Sequence, residues 1–136
     1  MTIVLDTNVV VSALLRRAGP PGKILDLVLA RHVTLALDHR VFIEYREVLH
    51  RPEFNFPPDL LRDLLDFVWR YSIRVDPAPL AIRSPDPDDA KFIEVAVASK
   101  VSVLVTGNLK HFPLDQRHGV RVMTPREWPD LWAGER

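Results

Sequence analysis

The 136-residue chain contains no cysteine, which excludes disulfides and thiolate metal sites and leaves carboxylates, amides and histidines as its possible metal ligands. It has no net charge either: 18 basic and 18 acidic side chains cancel. A polyanion partner would therefore be held by a local patch or by bound cations, because no global basic field exists to gather it. No apolar run approaches the roughly 20 residues needed to span a bilayer. The apolar first 15 residues are interrupted by Asp6 and Asn8 with no basic segment before them, a poor signal peptide. Internal repeats and low-complexity tracts are absent. No glycine-rich loop follows the first apolar segment, which argues against a Rossmann dinucleotide site. The Val122-Met123-Thr124-Pro125 segment lacks the lysine that a phosphoryl receiver would place late in its sheet. The composition suits a cytoplasmic protein.

What remains is an ordinary globular composition, 47% hydrophobic and 26% charged, punctuated by 12 prolines. The length suits one domain over residues 1–136. Short apolar runs at 2–5, 33–37, 72–75, 101–105 and 120–123 read as strands. Between them, helical spacing predicts helices over 8–16, 23–31, 38–51, 59–71, 87–99 and 125–132. The predicted stripes include Ile24, Leu27 and Val28, with Leu29 adjacent, in the second helix and Leu60, Leu61, Leu64, Leu65 and Val68 in the fourth. Strands apolar throughout, alternating with helices, predict a parallel sheet covered on both faces. Functional residues in such sheets gather beyond the carboxyl ends of the strands.

Four positions answer that description. Asp6 directly follows the first strand in "VLDTNVVVSALLRR", where it is either a helix cap beside Thr7 and Asn8 or a ligand. Glu44 lies at the margin of the stripe Val41, Phe42, Tyr45, Val48 and Leu49; the alternative is a surface pair with Arg40, four residues earlier. In "SPDPDDAKFIEVAVAS", Asp86 reads as a cap before Pro87, and Asp88 turns outward. Asp89 projects into the apolar stripe formed by Phe92, Ile93, Ala96 and Val97, where a carboxylate must be capped, paired or bound to metal. In "VLVTGNLKHF", Thr106 and Gly107 end a strand, and Asn108 can cap the next turn or offer an oxygen to a hard cation. Lys110 and His111 read as solvated. Three acids and an amide, without thiols or a histidine pair, suit Mg²⁺ or Mn²⁺ rather than zinc.

In order and spacing, "VLDTNVVVSAL", "FIEYREVL", "SPDPDDAKFIEVAVAS" and "VLVTGNLKHF" resemble the PIN domain nucleases, in particular the toxin components of toxin–antitoxin systems related to VapC-type ribonucleases. The resemblance spans essentially the whole chain and implies a Rossmann-like α/β/α sandwich with a parallel sheet of about five strands. It implies that Asp6, Glu44, Asp89 and Asn108 form the catalytic, metal-binding set, Asn108 standing where many members carry a fourth Asp. Thr7, Asn8, Asp86 and Thr106 would support them, and Arg16, Lys91 and Lys110 are candidate RNA contacts. It further implies Mg²⁺ or Mn²⁺ as cofactor, RNA as substrate, an antitoxin partner and a homodimer. A weak or inactive PIN module that binds RNA or a protein partner is the alternative, since Asn108 removes one charge from the site.

Overall fold

The structure is a computed structural model that describes residues 1–81, 86–101 and 103–128. Five strands, β1 (Thr2–Leu5), β2 (Thr34–Leu37), β3 (Ile73–Arg74), β4 (Val103–Val105) and β5 (Arg121–Met123), form one sheet in the order β3-β2-β1-β4-β5. Every neighbouring pair is parallel. Consecutive residues Ile3, Val4 and Leu5 are all buried, as are Leu35, Ala36 and Leu37, so both faces of the central strands are covered. The expected parallel α/β fold is the one observed.

Among the described residues, five α-helices accompany the strands: α1 (Thr7–Leu15), α2 (Pro20–Leu29), α3 (His39–Leu49), α4 (Pro58–Tyr71) and α5 (Ala90–Ala98). The Gly19-Pro20-Pro21-Gly22 stretch, expected to break the chain, also starts α2, because proline fits the first helical turn where no amide partner is needed. Gly22 marks a close crossing of backbones: a Cβ there would lie 2.0 Å from the carbonyl oxygen of Arg17. Asp38 caps α3, accepting from the Val41 amide at 2.9 Å.

Several expectations change in detail. The helix expected over 87–99 begins as a 3-10 turn, Pro87–Asp89, and becomes α-helical only at Ala90. Leu29, Leu60 and Val97 are exposed rather than buried. In α5 the buried face runs from Lys91 to Ala96 without a break. That helix packs on β1, β2 and β4 and also touches α3, so it has neighbours on more than one side. The helix expected over 125–132 extends beyond the described residues, as do Ser84 and Pro85 of the acidic stretch.

The strand order decides where a site can form. The chain leaves β1 for β2 on one side, while β4 lies against β1 on the other. The switch point therefore falls between the carboxyl ends of β1 and β4, and a crevice opens there.

Candidate active site

Asp6 and Thr106 are the residues that immediately follow β1 and β4. They meet across the switch point: the Thr106 hydroxyl donates to Asp6 Oδ2 at 2.8 Å, and both side chains are buried. The Asp6 amide donates to the Val105 carbonyl at 2.9 Å, which continues the sheet one residue past the strand. Asp6 starts α1 without a well-formed side-chain cap bond, although the Thr7 and Asn8 amides lie close enough to favour its ionised form slightly. Burial raises its pKa; the Thr106 hydroxyl offsets part of this, and the nearby Glu44 charge adds to it.

Glu44 reaches the same crevice from α3. Its Oε2 accepts from the Thr7 hydroxyl, and its Oε1 lies 2.8 Å from the ammonium of Lys91 on α5. Lys91 is thus buried beside a carboxylate, not displayed on an outer surface as a candidate RNA contact would be. Arg40 does not pair with Glu44 either. Its guanidinium holds Asp38 at 2.7 Å and Glu94 at 2.9 Å, two nearly buried carboxylates. Glu94 in turn accepts from the Leu80 amide at 2.7 Å, which ties the proline-rich connector to α5. One residue beyond Glu44, the hydroxyl of buried Tyr45 donates to the Leu5 carbonyl at 2.5 Å. Tyr45 thereby locks α3 to the end of β1.

Asp89 enters at the head of α5 and is buried. Its pKa is raised to about 6, chiefly by burial and then by the charge of Asp6, with His111 and Lys91 opposing. Its Oδ2 lies 2.9 Å from His111 Nδ1 but receives no aligned hydrogen bond. A buried carboxylate oxygen in that condition is one that a cation would satisfy. Asp86 is exposed, and its side chain accepts from the Asp88 amide at 3.0 Å, capping the 3-10 turn, while its charge adds to the rise at Asp89.

Asn108 begins a second 3-10 turn, Leu109–His111, without capping it. Its side-chain nitrogen lies 2.8 Å from His111 Nε2, and its amide donates to the Thr106 hydroxyl at 3.0 Å. Asn8 supports the same loop, its Oδ1 accepting from the Gly107 amide at 3.1 Å. Lys110 and Arg16 are exposed, Arg16 at the end of α1. A groove of about 460 Å³, lined by residues including Arg40, Glu44, Lys91 and Glu94, runs along α3 and the start of α5 beside these acids.

Sequence reasoning missed the parts played by Lys91 and His111. A spacing signal existed for His111, since residues three apart on a 3-10 turn lie on one side and Asn108 and His111 are three apart. For Lys91 no local signal exists, because its partner lies on another helix.

Asp6, Glu44, Asp89 and the Asn108 side-chain oxygen are donors of the kind a hard divalent cation takes, and Asp89 Oδ2 is buried without an aligned hydrogen bond. Among the described residues the acids are not gathered into a three-ligand cluster. Thr7 and Lys91 occupy both oxygens of Glu44.

A five-stranded parallel sheet with Asp6 at its switch point defines a doubly wound α/β protein whose functional groups are expected at the strand ends. Residues 2–110 match the family model described as PIN domain, and the chain belongs to that family, whose members are nucleases. An uncharacterized protein of Methanocaldococcus jannaschii is 28% identical over 138 residues, covering 93% of this chain and 88% of the relative. Among solved structures, the crystal structure of VapBC2 from Rickettsia felis bound to a DNA fragment from their promoter shares the fold. It has a TM-score of 0.59 at 19% identity, with 91% of this chain and 98% of that chain covered.

Proposed function

We propose that this chain is a Mg²⁺- or Mn²⁺-dependent endoribonuclease and the toxin component of a toxin–antitoxin pair. The observation that carries the reading is buried Asp6 at the β1/β4 switch point together with buried Asp89, whose Oδ2 receives no aligned donor. The charge of Asp6 raises the pKa of Asp89, and the charge of Glu44 raises that of Asp6. Asp6, Glu44, Asp89 and the Asn108 side-chain oxygen would hold the ion. When bound, it would supply an activated water and neutralise charge on the scissile phosphate.

The protein's own groups do the rest. Thr106 and Thr7 fix the carboxylates of Asp6 and Glu44 in single orientations. Lys91 neutralises Glu44 and stands beside the groove along which a phosphate would approach. Exposed Lys110 and Arg16 would give a local contact to RNA on a chain with no net charge. The fold shared with a toxin–antitoxin complex supports a cognate antitoxin as partner. A homodimer and a cytoplasmic location belong to the same reading; among the described residues, no helix is long and apolar enough to cross a membrane.

The test is cleavage of single-stranded RNA with Mn²⁺, with EDTA and by Asp6→Asn. Cleavage by the wild type with Mn²⁺ alone supports the reading, and equal cleavage in all three overturns it.

A second reading is a module that binds RNA or a protein without cutting. The pairing of Glu44 with Lys91 and the amide at Asn108, which lower the site's negative charge, favour it. Calorimetry separates the two: no Mn²⁺ binding at millimolar concentration, with RNA or partner binding intact, selects the second.

A further inference from the structure

Asn108 is an ambiguous ligand. Its Oδ1 can bind a hard cation, whereas its Nδ2 can only donate a hydrogen bond and repels one. Left free in an acidic site, such an amide would turn its nitrogen toward a carboxylate and so oppose the cation. Something must hold it the other way.

His111 is placed to do this. The Asn108 Nδ2 lies 2.8 Å from His111 Nε2, and His111 Nδ1 lies 2.9 Å from Asp89 Oδ2. An amide NH₂ only donates, so Nε2 is the lone-pair nitrogen in this contact and the ring's proton sits on Nδ1, the nitrogen nearer Asp89. The Asn108 main-chain amide is separately committed to the Thr106 hydroxyl at 3.0 Å. With Nδ2 held by His111, Oδ1 is the end of the side-chain amide left to ligate.

We propose that His111 is a positioning residue that makes Asn108 an oxygen donor: its Nε2 takes the amide nitrogen and leaves Oδ1 for the divalent cation. The proposal rests on the metal-dependent reading above. It explains how an amide can serve in place of an acid at this position without blocking the site.

The two ring nitrogens can be tested separately. His111→Gln places an amide where Nε2 stood and keeps an acceptor for Asn108. His111→Asn places one where Nδ1 stood and keeps a donor for Asp89. His111→Phe keeps only the ring's shape. Mn²⁺ affinity is read from the electron paramagnetic resonance of the free ion, with melting curves in EDTA showing that folded proteins are compared. The expected result is near-wild-type affinity for His111→Gln and affinities weakened about tenfold or more for His111→Asn and His111→Phe, the usual scale for a group that orients a ligand. In an Asn108→Ala background, His111→Phe should weaken binding no further.

Retention by His111→Asn with loss in His111→Gln overturns the proposal, as does a full effect of His111→Phe in the Asn108→Ala background. A further readout needs no metal: long-range ¹H–¹⁵N spectra of the metal-free protein should show His111 protonated on Nδ1, and a proton on Nε2 overturns the proposal. Wild type that binds Mn²⁺ equally well with any of the three substitutions leaves the metal-dependent reading standing and removes only this one. Wild type that binds no Mn²⁺ removes both.

Discussion

The ammonium of Lys91 on α5 lies 2.8 Å from Glu44 Oε1 on α3, a pair in which the lysine is nearly buried and the glutamate about one-quarter exposed. It bridges two helices that flank the crevice at the β1/β4 switch point, and it supplies a positive charge beside a group proposed to bind a cation. Two consequences follow from that competition. Lys91→Met leaves a half-buried carboxylate without its partner, so the metal-free protein should lose about 1–3 kcal/mol. The same change frees Glu44, so Mn²⁺ should bind more tightly and restore a larger share of the melting temperature than in wild type. Melting curves in EDTA and in Mn²⁺ check both at once.

Asp89 offers the opposite trade. Its raised pKa, about 6, means that the folded state holds the proton more tightly than the unfolded chain does. Between about pH 4 and 6 the native state therefore binds more protons, and this group's contribution to stability falls as pH rises. Above that window the ionised carboxylate is a standing cost of folding without metal. Asp89→Asn should raise the melting temperature at pH 7 by a few degrees in EDTA. The gain should shrink as pH falls through 6, and Mn²⁺ binding should be lost. An unchanged or lowered melting temperature in EDTA would refute this account.

Thr106 hydrogen-bonds to two neighbours, donating to Asp6 Oδ2 and accepting from the Asn108 amide. Thr106→Val keeps the shape and removes both bonds, leaving a buried carboxylate oxygen short of a donor. Stability should fall by about 1–3 kcal/mol, and metal affinity by about 10- to 100-fold. Calorimetry with Mn²⁺ and denaturant titration measure the two effects on one sample.

Arg40 provides the contrast. Its guanidinium is half exposed, but Asp38 and Glu94, which it joins, are nearly buried. Arg40→Leu would leave two inward carboxylates with one backbone donor each, from Val41 and Leu80. Chemical denaturation should show a loss of about 2–3 kcal/mol. Mn²⁺ affinity should change less than twofold, because neither carboxylate belongs to the proposed ligand set. A change as large as that of Thr106→Val would assign Glu94 to the metal site.

The elements themselves were largely legible. β1 and α1, β2 and α3, and α4 fall within two residues of where apolar runs and helical spacing put them, because local periodicity and proline punctuation act within a single segment. Burial was less so. Leu60 belongs to the apolar stripe of its helix by angle and Leu29 adjoins its own, yet both remain exposed. Angle says which residues share a side and not how far the neighbouring element extends. In α5 the wheel missed buried Lys91, Val95 and Glu94, since contacts with the sheet, α3 and the connector enclose it on several sides.

The sequence by itself determined that a parallel α/β protein would carry Asp6 and Asn108 just past strands and Asp89 on an inward helix face, because strand ends and helix faces are properties of short segments. Only the tertiary structure decided which charges meet. Strand order brought Asp6 to Thr106, one hundred residues away, and helix packing gave Glu44 to Lys91 instead of Arg40. The physical reason is that an ion pair's partner is set by distance in space, and the Arg40 guanidinium found two buried carboxylates within reach. The turn that follows β4 then set His111 between Asn108 and Asp89, a contact whose existence depends on α5 arriving beside that loop.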